Sequence, residues 1–147
     1  MKLFLCPLLF FAAHLFSFDD TPGCFRELQQ NFFSQKAISE ALSLSNVSQS
    51  LWYPIIGDLN REQRRLPAAI TARARAMSQN PMRRPFQREA AFELLYQEAR
   101  RIYTGVLLQN GVTNPVVIDQ TFNYIYQSAF ERISACYEAT PPSPSGG

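Results

Sequence analysis

From Phe86 to Gln109 the chain contains no proline, and Ala91, Leu95, Ala99, Ile102 and Val106 recur at the three-and-four spacing of one helix face. That run commits a large part of the chain to one long amphipathic helix. Phe92, Tyr96 and Tyr103 widen its apolar line, and Gly105 is the only helix-weakening residue within it. Asn110-Gly111 supplies a left-handed stop. Thr113 is then placed to cap another helix, with Pro115 in its first turn. The apolar face of that helix runs through Ile118, Phe122, Ile125, Ala129, Ile133 and Cys136, flanked by Tyr126 and Tyr137.

The helical period extends upstream. Cys24, Phe25, Leu28, Phe32 and Leu42 fall within about a third of a helix surface, so Cys24 to Leu42 reads as a first helix. Ser43 to Ser48 reads as a break and Leu51 to Gly57 as an apolar connector. A second helix is expected from Asp58 or Asn60, with Asn60 and Gln63 at capping-box spacing. Leu59, Leu66, Ile70 and Met77 form its narrow apolar line, and Pro67 should kink it or start a fresh helix. Asn80-Pro81 and Arg84-Pro85 mark a turn. No alternating stretch is long enough to demand a sheet. The expected architecture is all-α, a bundle of four to five helices over residues 18–139. The Pro/Ser/Gly tail, 140–147, has no apolar side chain to bury and is expected to be disordered.

Residues 1–17 read differently. Lys2 precedes an almost entirely apolar run from Leu3 to Phe16, too short for a bilayer span and typical of a secretory signal. Cleavage after Ser17 is expected, although Leu15 is not the small residue preferred three positions before a cut. The product would be exported, periplasmic or secreted. Export removes His14, the only histidine, and with it Ser-His-Asp and Cys-His catalysis and the usual histidine-containing zinc sites. It leaves Cys24 and Cys136, which most simply form one disulfide joining the first and last helices. Such a bridge should stabilise the fold by about 4–5 kcal/mol. Cofactor and metal are both expected to be none, since no phosphate-cradling glycine loop is present either.

Charge is distributed unevenly. Residues 58–88 carry eight arginines against Asp58 and Glu62, whereas residues 89–147 carry three arginines against six acids. On one continuous helical wheel Arg61, Arg64, Arg65 and Arg75 share an arc of about 100°, opposite Leu59, Leu66, Ile70 and Met77. Ala68, Ala72 and Ala76 keep that side free of bulk, and Arg83, Arg84 and Arg88 continue the basic stretch. The expected function is that of a small exported interaction or adaptor protein. Arg61, Arg64, Arg65, Arg75, Arg83 and Arg84 would bind an acidic protein, a cell-envelope polyanion or an anionic membrane surface. A plain solvated helix face has the same appearance. Nucleic acid is disfavoured by export and by the lack of aromatics among the arginines.

Two other readings stay open. Glu89, Glu93 and Glu98 could support carboxylate-based hydrolysis, though Glu89 and Glu93 share their helix side with Gln97 and Arg100 as a solvated face does. Leu59-Asn60-Arg61-Glu62-Gln63 is similar to the Leu-Thr-x-x-Gln motif of Spy-type periplasmic chaperones, with asparagine in place of threonine and no second copy. That resemblance implies a small helical protein that cradles unfolded clients; a capping box explains the same letters. Asn46-Val47-Ser48 is a glycosylation acceptor only in a eukaryotic secretory setting.

Overall fold

Phe32 and Phe33 are both fully buried, and the helix breaks at this pair, just before Ser34 opens a new one as its N-cap. In the computed structural model, which describes the backbone of residues 23–77 and 88–139 and the side chains of 23–76 and 90–132, helix α1 (Gly23–Gln30) stops before the pair. Helix α2 (Gln35–Leu44) starts after it, capped by Ser34, whose hydroxyl accepts from the Ala37 amide at 3.4 Å. The single helix expected over 24–42 is thus two. The expected signal segment, the Asn80-Pro81 and Arg84-Pro85 turn and the tail lie outside the described residues.

α2 closes at Asn46, whose φ of 57° is left-handed. The Asn46 amide donates to the Ser43 carbonyl at 3.2 Å and the Val47 amide to that of Leu42 at 3.0 Å, satisfying carbonyls that the helix end leaves open. A 3₁₀ turn, Gln49–Leu51, leads into α3 (Trp52–Gln63). Leu51 to Gly57 is accordingly mostly helix and not a connector. Pro54 sits in the first turn, where a missing N–H costs nothing, and Trp52 Nε1 donates to the Val47 carbonyl at 2.9 Å. Asn60 is then a mid-helix residue, not a cap. Gln63 does not reach back to it; its Oε1 accepts the Phe33 amide at 2.6 Å.

Pro67 has no N–H for the Gln63 carbonyl, and the chain turns at Arg64-Arg65 before α4 (Leu66–Met77) begins. The fresh helix expected at Pro67 is present. α5 (Arg88–Gln109) ends as read from Asn110-Gly111: Gly111 has φ 88°. The Val112 amide donates to the Leu107 carbonyl at 2.9 Å and Gly111 to that of Leu108 at 3.1 Å. α6 (Pro115–Ala139) is capped by Asn114, whose Oδ1 accepts the Val116 amide at 2.9 Å, and not by Thr113.

Six helices therefore occupy the described residues, against the four to five expected, and no strand occurs among them. They behave as four rods, two of them broken: α1–α2, α3–α4, α5 and α6. The first packs on α6 and on the second, the second packs on α5, and α5 packs on α6. The result is an up-down-up-down bundle. Its two breaks lie level with each other, bolted by the Phe33–Gln63 hydrogen bond. Phe122 stands at the middle of the core, with its ring 5.5 Å from Tyr96, 5.6 Å from Tyr103 and 6.1 Å from Phe32. Buried Tyr103 donates to Thr121 Oγ1 at 2.7 Å, and burial raises its hydroxyl to about 12.

The topology gives the molecule two unlike poles. One carries the turns 45–51 and 110–114; the other carries residues 23, 77, 88 and 139, where the described segments begin and end.

Candidate functional site

The turn at Arg64-Arg65 alters the expected arginine arc, which assumed one unbroken helix from Leu59 to Met77. Arg61, Arg64 and Arg65 crowd the end of α3, while Arg75 stands in the last turn of α4, about 15 Å further along the rod. All four are exposed. Arg61 pairs with Asp58 within α3, and Arg65, in the turn that follows, lies 3.6 Å from Glu62. Such surface pairs stabilise little and screen easily. Arg64 and Arg75 have no carboxylate partner among the described residues. Ala68, Ala72 and Ala76 are exposed, as expected. Arg83, Arg84 and the side chain of Arg88 lie outside the described residues.

A charge cluster forms around Glu98, which the sequence offered only as a candidate hydrolytic acid. Glu98, only 3% exposed, receives Arg73 of α4 at 2.9 Å and Arg101 of α5 at 2.8 and 3.2 Å. Burial pushes its carboxyl up, but hydrogen bonds from Arg101 and Arg73, with their charges, bring it below the usual 4.5. Arg73 also donates to Gln97 Oε1 at 3.3 Å, and Gln97 donates to Glu93 at 2.9 Å. One carboxylate thus holds two guanidiniums, whose outer edges remain in solvent. The signal was faint: Glu98 and Arg101 are neighbours on a helix, but Arg73 lies 25 positions away.

Beside this clamp, Tyr96, Gln97, Arg100, Arg101, Thr104, Gly105 and Leu108 line a shallow open depression of about 500 Å³ along α5. Arg100 donates to the Tyr96 hydroxyl at 3.0 Å and to Asp119 of α6. A hydrolase built on these acids would need a carboxyl held protonated near neutrality. Glu98 is pushed the other way, Glu93 accepts from Gln97, and the side chain of Glu89 lies outside the described residues. No group of three or more His, Cys, Asp or Glu residues able to hold a metal occurs among the described residues. No helix among them is long and apolar enough to cross a membrane.

Of the two cysteines expected to pair, Cys24 is half-buried against the core at the start of α1. Cys136 belongs to α6, with its side chain outside the described residues, so no bridge joins two described residues. The five residues similar to the Spy-type motif lie inside α3, with Leu59 buried and Gln63 committed to Phe33. The chain matches no protein family, no curated protein and no solved structure.

Proposed function

We propose that this chain is an exported, disulfide-closed helical interaction protein whose arginine-bearing α3–α4 rod docks an acidic partner, either a protein or a cell-envelope polyanion. One observation carries the reading. Arg64 and Arg75 are exposed with no carboxylate partner among the described residues, and Arg65, 74% exposed, has only a long surface pair. Guanidiniums not occupied by buried acids are available for bidentate contacts with an incoming carboxylate or phosphate. The exposed alanines between them allow a flat or extended partner to approach.

The disulfide belongs to the same proposal, with Cys136 as the partner of Cys24. In its support, α1, which opens with Gly23-Cys24, packs along α6, the helix that carries Cys136. Two alkylatable thiols in the native exported protein would refute the bridge.

Poly-L-glutamate is a direct probe of the cationic side. The native chain should bind it at low salt and release it as salt rises. Arg64→Glu with Arg65→Glu and Arg75→Glu should abolish binding while leaving helix content unchanged. Binding that survives this triple reversal would reduce the rod to a solvated surface.

A further inference from the structure

Two stretches of this chain, residues 41–57 and 102–118, contain no charged residue, and the topology folds both to the turn pole. At the chain-wide 18% charged, these 34 positions would carry about six. The charges resume immediately at the border, with Glu40, Asp58, Arg101 and Asp119. Within the uncharged cap, Leu44, Tyr53, Leu108 and Val116 are 70, 82, 48 and 57% exposed. They make up most of the large apolar side chains left exposed among the described residues. A charge-depleted, aromatic and aliphatic centre inside a charged rim is the composition of a protein interface core.

We infer that this pole is where two copies of the chain associate, tip to tip. A two-fold contact places a patch against itself, so any charge on it risks facing its own kind. This is the described surface where that cost is absent. The pole offers about two dozen exposed or half-exposed residues, the number that one side of a standard-sized interface uses.

A lipid surface fits less well. Three of the four bordering charges are acids, which anionic headgroups repel. The cap also displays Ser43, Asn46, Ser48, Gln109 and Asn114, whose hydrogen bonds a protein can replace and a bilayer interior cannot.

The inference stands apart from the arginine proposal, because it concerns another surface. Sedimentation equilibrium of the purified protein, from about 1 to 100 µM, should show the mass rising from that of one copy to that of two. Tyr53→Glu with Val116→Glu should move the midpoint at least about tenfold toward higher concentration. Both sites lie in first helical turns, where a carboxylate suits the helix and the fold is retained. Leu44→Lys alone should move it the same way. The arginine triple reversal should leave the mass curve unchanged and lose only poly-L-glutamate binding. A native protein that keeps the mass of one copy throughout overturns the inference. So does association with the same midpoint in the Glu variants. Monomers that sediment with neutral phosphatidylcholine vesicles through Tyr53 would overturn it in favour of a membrane surface.

Discussion

At the turn pole the helix ends are closed by the backbone itself: Val47 and Val112 amides reach the Leu42 and Leu107 carbonyls over left-handed Asn46 and Gly111. Partway along the seam between α4 and α5, two arginines grip one buried glutamate. The first region depends mainly on backbone conformation and apolar burial, neither of which titrates, with Asp58 at its border accepting from Asn110 at 3.1 Å. The second depends on charge. The same bundle therefore combines a part that responds little to pH and salt with a part that responds to both, and each part borders a surface of matching character. Uncharged closure leaves an uncharged face; the charged seam lies on the side that carries the arginines.

Four substitutions separate these regions, from the largest expected effect to the smallest. Leu107→Ala, at a fully buried position of the turn pole, should cost about 2–5 kcal/mol in urea unfolding, equally at low and high salt. A marked salt dependence there would break the contrast. Glu98→Gln should cost about 1–3 kcal/mol at pH 7, by weakening two charge-assisted hydrogen bonds at a buried carboxylate.

That second cost carries a pH signature. Because the folded Glu98 carboxyl lies below 4.5, the folded state binds fewer protons than the unfolded chain around that pH. Its stabilisation is complete above about pH 4.5 and is lost as pH falls through the lower folded value. Thermal melts of the native chain and Glu98→Gln should converge as the pH is taken from 6 toward 3. A constant gap would refute the assignment of the clamp.

Gly111→Ala should cost about 1–2 kcal/mol at any pH, since a side chain resists the φ of 88° although nothing crowds its Cβ. Arg65→Ala should change stability by less than about 0.5 kcal/mol, as expected for an exposed 3.6 Å pair. Equal losses from Arg65→Ala and Glu98→Gln would erase the distinction between a surface pair and a buried clamp.

Much of the bundle was legible because its signals are local. Ala91, Leu95, Ala99, Ile102 and Val106 all proved buried, since one helix face must meet the core whatever lies opposite. Gly111 stopped α5 where the Asn-Gly pair indicated, and Pro67 opened α4, because both act through their own backbone. The first helix was misread for a different reason. Its apolar stripe ran through Phe32 and passed over Ser34, whose hydroxyl caps a new helix start. The arginines were legible as residues, while their common arc was not. A wheel drawn across Pro67 assumes a continuity that the missing amide removes.

Local pattern alone thus determined the helical class, the long α5, two of its neighbours' boundaries and the charge imbalance, because each is written in residues a few positions apart. Tertiary structure decided the rest. Gln63 found Phe33 across 30 positions, Glu98 found Arg73 across 25, and two uncharged stretches some 60 residues apart reached one pole. Each of these depends on which rod lies beside which, and that order is set by packing, not by any local pattern.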